Sequence, residues 1–341
     1  MFIKLVHRDT LSVEADVKRV QGGDLLLLCT CGGLIEPAAE NRTVCFRSSD
    51  NGRTWTEKHQ ICEENGLAHY HTETAVLGDS IRIYISEHNG KFIGWNNYFL
   101  ESGGECRVWE KHPLTVLPKY AFVRGMVTLS NKDILFPYHY YPISQEMEKE
   151  CFTKDFYVWQ NRVPYIESGL LVSKNGGKSF KRKVAFQTNT EQLLSMGLPS
   201  WIWPENTVVE AEPGHLIMLF RVDKSGFLWR ADSFDYGNRW ATPHITDIPN
   251  PSNKPRLFKS AEGEIILVNT PKSSYGLDNR FPLEVWLSKD GMNTWHKKIR
   301  VSDFPGAYSY ASGFVEKDCL YLAFEFNRHD IYFAVIDLRE D

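Results

Sequence analysis

The sequence of 341 residues has no long apolar run, no excess of basic charge and few cysteines. No apolar stretch approaches the roughly 20 residues of a membrane-spanning helix, and residues 1–16 alternate like a strand where a signal peptide would be apolar. The net charge of −4 offers no basic field to nucleic acid or to an anionic membrane. The seven cysteines lack a CxxC spacing and predict neither a disulfide framework nor a zinc site. Together these absences favour a cytoplasmic protein without nucleic-acid or membrane partners.

In place of these features the sequence has a repeated turn motif. In each copy a Ser is followed two residues later by Asp or Asn and seven residues later by an aromatic residue. The copies are SSDNGRTW (48–55), SKNGGKSF (173–180), SFDYGNRW (233–240) and SKDGMNTW (288–295). A recurrence at several tens of residues is typical of a repeat architecture. We expect the Asp to accept backbone N–H bonds and the aromatic ring to pack between sheets.

Hairpins recur along with the turn motif. Segments of the form strand, short polar turn, strand occupy residues 12–29, 71–86, 123–138, 205–221, 253–269 and 308–325. A third strand and a turn motif follow most of them, which makes four antiparallel strands per unit. The sequence therefore predicts an all-β fold, a single six-bladed β-propeller over residues 1–341. The N-terminal strand FIKLVHR is expected to close the ring as the outer strand of the last blade.

In a propeller the first strand of each blade lies nearest the central axis, so the starts of these strands converge on one face. The candidate site residues read from these positions are Glu14, Asp16, His69, His71, Glu73, Arg124, Trp203, Glu205, Asn253, Lys254, Arg256, Tyr308 and Tyr310. This set is rich in charge for residues packed around an axis. A pocket that recognises a polar ligand is one explanation, and a hydrated channel is the other.

The sequence resembles the sialidase (neuraminidase) superfamily, especially its bacterial "predicted neuraminidase" branch. Three segments carry the resemblance: WPENTVVEAEPGHLIMLFR (203–221), NRFPLEVWLSKDG (279–291) and GAYSYASGFVEKDCLYLAFE (306–325). The resemblance implies that Tyr308 is the nucleophile and that Glu205 takes its proton. It further implies that Arg221 and Arg280 hold the substrate carboxylate and that Glu325 steadies the first arginine. Such enzymes use a neutral tyrosine because a carboxylate nucleophile would repel the anionic sugar.

The sequence departs from the family pattern in two places. Glu14 stands where the first arginine of the carboxylate-binding triad is expected, which reverses the charge; Arg124, Lys254 or Arg256 would have to compensate. The loop at residues 31–43 has no Asp for the acid/base role. Glu36 or Glu40 can fill that role with a longer reach, and the other possible proton donors are His69 and His71. The HxH spacing also admits a metal, but no third ligand is evident, so no metal or cofactor is assigned.

The sequence thus predicts an exo-acting glycoside hydrolase for a terminal, acidic sugar, with a glycan as its partner. One alternative is a lyase for uronate-containing glycans that uses histidine and tyrosine as acid–base groups. Another is a non-catalytic sugar-binding propeller that relies on Trp203, Tyr310 and the basic residues. The aromatic-rich loop at residues 142–167 is expected to form a lid or an oligomer contact.

Overall fold

The computed structural model describes residues 1–302 and 304–339 and shows a six-bladed, all-β propeller. In chain order, the N-terminal strand is β1 (Phe2–Arg8). Blade one has β2 (Ser12–Arg19), β3 (Leu25–Cys31), β4 (Arg42–Ser48) and β5 (His59–Gln60). Blade two has β6 (Ala68–Leu77), β7 (Ser80–His88), β8 (Asn96–Gly103) and β9 (Glu110–Pro113). Blade three has β10 (Ala121–Val123), β11 (Val127–Thr128), β12 (Ile134–Tyr140), β13 (Tyr165–Ser173) and β14 (Lys181–Asn189).

The remaining blades follow the same plan. Blade four has β15 (Thr207–Glu212), β16 (His215–Arg221), β17 (Phe227–Ser233) and β18 (His244–Pro249). Blade five has β19 (Arg256–Lys259), β20 (Ile265–Asn269), β21 (Glu284–Ser288) and β22 (Lys297–Arg300). Blade six has β23 (Tyr308–Glu316), β24 (Cys319–Phe326) and β25 (Asp330–Asp337), and it takes its outer strand from β1. The fold class predicted from the sequence is confirmed.

The first strand of blade three is interrupted, because β10 and β11 pair with β12 on either side of residues 124–126. The interruption coincides with a close approach across the axis. A Cβ atom on Gly125 would lie 2.0 Å from Arg256 Nη1, so only glycine leaves room for that guanidinium. The break lets Arg124 leave the strand pattern and turn toward the centre of the ring.

Helices are a small part of the chain and lie between strands. They are α1 (Gln145–Lys154), α2 (Thr190–Ser195) and two short 3-10 helices, Val158–Gln160 and Leu277–Asn279. The long loop between β12 and β13 is therefore partly helical. Within the described residues, no helix combines the length and the apolar character that a membrane crossing requires.

The N-terminal strand closes the ring as the sequence predicts. β1 runs antiparallel to β25, with Phe2 opposite Val335 and Arg8 opposite Asp330. The Arg8 guanidinium donates from Nε and Nη2 to the two Asp330 carboxylate oxygens, at 2.6 Å each. Such a bidentate pair fixes the register of the last strand pairing. The two ends of the chain are thus held in one sheet.

The predicted turn motif is confirmed in its first copy. Ser48 Oγ accepts the Gly52 N–H at 2.8 Å, and Asp50 Oδ1 accepts the Thr54 N–H at 2.9 Å. Gly52 has a φ of 87°, and a Cβ atom there would lie 2.1 Å from Phe333 Cε1 of the neighbouring blade. Trp55 packs edge-on against Phe333 at 5.2 Å between ring centroids. The motif therefore locks one blade against the next and has no contact with the axis.

The Asp50 carboxylate gives the first testable prediction. Hydrogen bonds from the Thr54 backbone, the Thr54 hydroxyl and Ser48 lower the pKa of Asp50 to about 2. A carboxyl group with a lowered folded-state pKa stabilises the fold above its unfolded-state pKa, and the stabilisation is lost as the pH falls. In Asp50→Asn the free energy of unfolding should therefore fall less than in wild type between about pH 4 and pH 2.

Urea unfolding at stepped pH values measures this effect. The second motif supplies the precedent for the substitution, since Asn175 Oδ1 accepts the Ser179 N–H at 3.0 Å in the same position. The converse variant, Asn175→Asp, should make the free energy of unfolding fall more steeply as the pH is lowered. A pH profile that is the same in wild type and in both variants would show that the motif carboxylate does not contribute.

Candidate functional site

A cavity of about 300 Å³ opens at one end of the propeller axis, where the first strands of the blades begin. Its charged lining consists of four arginines and four carboxylates: Arg124, Arg221, Arg280, Arg328, Glu14, Glu36, Glu205 and Asp223. Its aromatic lining includes Tyr70, Phe92, Phe122, Trp159, Trp203, Tyr275 and Tyr310. Of the thirteen candidates predicted from strand starts, five line this cavity: Glu14, Arg124, Trp203, Glu205 and Tyr310.

Tyr310 and Glu205 form a hydrogen-bonded pair in this cavity. The Tyr310 hydroxyl donates to Glu205 Oε1 at 2.8 Å, and both side chains are buried. Glu205 Oε2 lies 3.2 Å from Arg221 Nε. Burial, followed by the nearby Glu205 carboxylate, raises the pKa of Tyr310 well above its ordinary value. Tyr310 is therefore a neutral phenol beside an acceptor for its proton.

The backbone at this pair is strained. Tyr310 has a φ of 50° and Glu205 a φ of 44°, and Glu14 across the cavity has a φ of 54°. Residues other than glycine adopt such angles at a cost of about 1–3 kcal/mol each, and these cases cluster at functional sites. All three side chains line the cavity.

The structure contradicts the assignment of Tyr308 to the site. Its side chain is 1% exposed and packs among phenylalanines such as Phe281, Phe304 and Phe326, and its hydroxyl donates to the Phe304 carbonyl at 2.9 Å. In a regular strand residues 308 and 310 would face the same side. A β-bulge between Ser309 and Ser312 breaks this alternation, so Tyr310 points to the axis and Tyr308 into the core.

Glu14 is neutralised by two cations from other blades. Arg124 Nη1 lies 2.9 Å from Glu14 Oε1, and Lys254 Nζ lies 2.5 Å from Glu14 Oε2. Burial opposes ionisation, but Arg124 and Lys254 lower the pKa of Glu14 below its ordinary value. The charge reversal at this position is thus compensated inside the protein, as the sequence analysis proposed for Arg124 and Lys254.

Arg256 does not take part in this compensation. Its two terminal nitrogens pair with the carboxylate oxygens of Glu73 at 3.1 and 3.2 Å. Both residues line a second cavity, at the opposite end of the first strands. The prediction of Arg256 as a substrate-binding residue of the Tyr310 site is therefore wrong, because it starts β19 two residues further along the axis than Lys254.

Arg221 and Arg280 converge on one backbone carbonyl. Arg221 Nη1 and Arg280 Nη2 each donate to the Ser252 oxygen at 2.7 Å, and Arg280 Nη1 donates to Ser309 Oγ at 2.8 Å. Arg280 Nε is buried and has no hydrogen-bond partner among the described residues. Both guanidiniums are thus fixed side by side in the cavity wall. This arrangement suits a carboxylate, which accepts parallel hydrogen bonds from arginines.

Glu325 supports the site from behind the cavity wall. It is fully buried, and its Oε2 accepts the Glu14 N–H at 3.2 Å. Burial raises the pKa of Glu325 to about 8, although the nearby Arg280 opposes the shift. Glu325 does not line the cavity, so the structure gives it a positioning contact with the Glu14 backbone and no direct route to a substrate.

Glu36 reaches the cavity from the loop before β4. Its carboxyl contacts the Tyr70 hydroxyl and the Arg328 guanidinium. Burial, followed by the carboxylates of Glu325, Glu14 and Glu205, raises the pKa of Glu36 well above its ordinary value. Glu36 thus holds its proton to a higher pH than an ordinary glutamic acid, which suits a proton donor. Glu40 is exposed and does not line the cavity, so of the two predicted glutamates only Glu36 is placed in the site.

The two predicted histidines lie outside the cavity. The His69 ring bonds to Tyr98 Oη at 2.7 Å and to Asn65 Oδ1 at 2.9 Å. The His71 ring bonds to the Glu14 carbonyl at 2.9 Å and to Thr74 Oγ1 at 2.8 Å. Burial lowers the pKa of both histidines. They are neutral structural groups, and the described cavity lining contains no histidine, so the proposed acid–base and metal roles of His69 and His71 lose their basis.

Two charged residues of the cavity were not predicted from the sequence, because they follow the second strand of a hairpin. Asp223 follows β16 and Arg328 follows β24, each at the end of a second strand. In an antiparallel hairpin the end of the second strand lies beside the start of the first, so both positions face the same end of the axis. Trp159 comes from the long loop at residues 142–167, which therefore contributes to the cavity wall. Trp203 lies in the same wall and donates its backbone N–H to Asp223 Oδ2 at 2.7 Å.

Comparison with known proteins agrees with this architecture. The family model described as a BNR repeat-like domain matches residues 74–322. The chain belongs to this BNR repeat-like family. No curated protein matches the chain.

Several solved structures share the fold. A Hadza microbial sialidase has a TM-score of 0.73 at 15% identity, over 99% of this chain and 69% of that one. A Dyadobacter fermentans protein of unknown function has a TM-score of 0.70 at 15% identity, over 99% of this chain and 98% of that one. The Trypanosoma rangeli sialidase has a TM-score of 0.67 at 13% identity, over 96% of this chain and 54% of that one. At such identities the likeness shows that this BNR repeat-like protein has a sialidase-like fold.

Proposed function

We propose that the protein is an exo-acting, retaining glycosidase that removes a terminal, anionic sugar. The observation that carries the proposal is the pairing of Tyr310 with Glu205 at 2.8 Å in a cavity whose wall holds arginines. A phenol with a carboxylate acceptor is the nucleophile that suits a sugar with its own carboxylate at the reacting carbon. A cavity of about 300 Å³ has room for one terminal sugar unit and favours exo action.

The cavity residues supply each step of such a reaction. Tyr310 attacks the anomeric carbon while Glu205 accepts the phenolic proton. Glu36 donates its proton to the leaving oxygen, and the glycosyl–tyrosine bond forms as the bond to the leaving group breaks. Glu36, now a carboxylate, then takes a proton from water, which attacks the same carbon; the glycosyl–tyrosine bond breaks and Tyr310 recovers its proton from Glu205. The sugar leaves with its original configuration at that carbon.

The charge of the cavity favours an anionic substrate. Arginines and carboxyl groups are equal in number in the lining, and the raised pKa of Glu36, caused by burial and by nearby carboxylates, reduces the negative charge of the lining. Arg221 and Arg280 are the pair that we assign to the substrate carboxylate. Of the other two arginines in the lining, Arg124 is paired with Glu14 and Arg328 contacts Glu36. Aromatic rings such as Trp159 and Trp203 offer apolar faces to the sugar ring.

The structural neighbours support this class of reaction. One structure of the Trypanosoma rangeli sialidase holds 2,3-difluorosialic acid as a covalent intermediate, and another holds the related 2,3-difluoro-KDN. Because those proteins are about 13% identical to this chain, the substrate has to be established on the protein itself. The departure at Glu14 makes a related acidic sugar as good a candidate as sialic acid.

The test is hydrolysis of a panel of aryl glycosides that carry sialic acid, its deaminated analogue, uronic acids and neutral sugars. We expect release from one or more acidic sugars and none from neutral sugars. An ultraviolet-absorbing unsaturated product from a uronate glycan would instead indicate the lyase. Binding of an acidic sugar without turnover would indicate a carbohydrate-binding propeller. Release from neutral sugars alone would contradict the assignment of the arginines.

A further inference from the structure

A second cluster of reactive side chains lies at the closure of the ring, outside the cavity. His7 is in β1 and Asp9 follows it, whereas Cys29 and Cys31 are in β3 of blade one. The cluster therefore combines an H-x-D sequence and a C-x-C sequence that are some 20 residues apart. Residues two apart on a strand face the same side, so each short motif presents both of its side chains together.

Three of the four side chains are close enough to share one ion, and the Cys29 thiol lies beside the third. The nearest ligand atoms of His7, Asp9 and Cys31 all lie within 4.8 Å of one another. His7 Nε2 is 3.5 Å from Asp9 Oδ2, and Cys29 Sγ is 3.4 Å from Cys31 Sγ. With metal–ligand bonds of about 2.0–2.3 Å, a tetrahedral zinc ion separates its ligands by about 3.3–3.8 Å. For His7, Asp9 and Cys31 this spacing requires only small side-chain movements, and Cys29 would join from its position beside Cys31.

We propose that His7 Nε2, Asp9 Oδ2, Cys31 Sγ and Cys29 Sγ form a zinc site. The ligand types are those that Zn²⁺ prefers, and two thiolates with an imidazole disfavour Mg²⁺ and Ca²⁺. Binding releases the thiol protons of the two cysteines to solvent, since thiolates are the ligands. Four protein ligands leave no open coordination position, which is typical of a structural site.

Two further observations support a ligand at this place. His7 Nε2 is screened from solvent and has no hydrogen-bond partner among the described residues. Buried nitrogens of this kind are rarely left unpaired. The other oxygen of the Asp9 carboxylate, Oδ1, accepts the Thr10 N–H at 2.8 Å, which orients Oδ2 toward His7. Supporting bonds of this type are common around metal ligands.

Lys58 occupies the position of a competing cation. Its Nζ lies 2.6 Å from Asp9 Oδ2, and its side chain is 43% exposed. The ammonium group can therefore move into solvent when a divalent ion takes its place. Removing it should strengthen metal binding, an effect that a purely structural role of the cluster would not produce.

A zinc ion here would tie the N-terminal strand to blade one. β1 belongs to the sheet of blade six, and the Asp9 N–H donates to the His329 carbonyl of that blade at 3.0 Å. The cysteines lie one blade further around the ring. The metal would thus link the first and last blades across their junction, in addition to the strand pairing.

The experiment is a titration of the purified, untagged full chain with Zn²⁺ and Co²⁺ after chelator treatment, with a non-thiol reductant present. We expect one ion per chain, a cobalt–thiolate charge-transfer band in the near ultraviolet, and a higher Tm with Zn²⁺. Cys31→Ser should weaken Zn²⁺ affinity by more than about 100-fold and remove the rise in Tm. Cys319→Ser is the matched control and should bind as wild type does.

Lys58→Met keeps the proposal testable if the cysteine variant fails to fold, because Lys58 is at the surface. This variant should bind Zn²⁺ more tightly than wild type. The absence of a cobalt–thiolate band in both wild type and Lys58→Met would overturn the proposal. A band of unchanged intensity and metal affinity in Cys31→Ser would do the same. None of these measurements depends on glycosidase activity, so they stand apart from the proposed function.

Discussion

Tyr310→Phe is expected to reduce kcat by on the order of 10³-fold or more, whereas Tyr308→Phe should leave kcat near the wild-type value. The reason is geometric. The Tyr310 hydroxyl is in the cavity and bonded to Glu205, and the Tyr308 hydroxyl is in the core and bonded to the Phe304 carbonyl. Each variant removes one oxygen atom from the same strand. Their comparison therefore isolates the position of the hydroxyl.

The measurement uses the best acidic substrate of the aryl glycoside panel, with a thermal unfolding curve for each variant. Tyr308→Phe leaves the Phe304 carbonyl without its donor and should cost about 1 kcal/mol of stability. Similar losses of activity in both variants would mean that strand distortion is being measured. An active Tyr310→Phe variant would show that the tyrosine is not the nucleophile, whatever the substrate.

The overall fold could be predicted because its turns and strands have recognisable local sequence patterns. Each blade has a short polar turn between two apolar strands, and the Ser–Asp–Gly–Trp motif fixes the turn after the third strand. Ser48, Asp50 and Gly52 make the bonds expected from their residue types. The missing outer strand of the last blade also had only one source, the N-terminal strand. Topology was thus predictable because each unit repeats the same local chemistry.

The site was only partly predictable, because β-bulges decide which side chains face the axis. The bulge between Ser309 and Ser312 turns Tyr310, and not Tyr308, toward the axis. A second bulge lies between His71 and Glu73, next to the His71 ring that bonds to the Glu14 carbonyl. A bulge shifts every later residue of a strand to the other face. No glycine marks the left-handed residues Glu14, Glu205 and Tyr310, so the sequence carries no signal for them.

The pairing of charges in the site could not be predicted from the sequence either, because the partners come from different blades. Glu14 reads as a reversal of an anion-binding position, yet Arg124 and Lys254 from two other blades pair with it. The sequence offers these cations as partners of Glu14 but does not show whether Lys254 or Arg256 pairs with it. The two residues are two positions apart at the start of the same blade, and Arg256 instead pairs with Glu73. Their side chains lie at different positions along the propeller axis, and the packing of all the blades sets those positions.

Glu36→Gln is expected to lower kcat/KM by about 10²–10⁴-fold on a glycoside with a poor, alcohol leaving group. The loss should be much smaller on a nitrophenyl glycoside, whose leaving group needs little protonation. Glu40→Gln is the matched control in the same loop and should match wild type on both substrates, since Glu40 is exposed and outside the cavity. Equal losses on the two leaving groups would contradict the acid role.

The pH dependence provides an independent check of the same residue. Glu36 acts in its protonated form, and burial together with the carboxylates of Glu325 and Glu14 holds its pKa well above the ordinary range. Wild-type activity should therefore decline as the pH rises through the raised pKa of Glu36, at a higher pH than an ordinary glutamic acid would give. The residual activity of Glu36→Gln should lack this alkaline decline, because an amide does not titrate. An unchanged alkaline limb in that variant would assign the titration to another group and remove Glu36 from the mechanism.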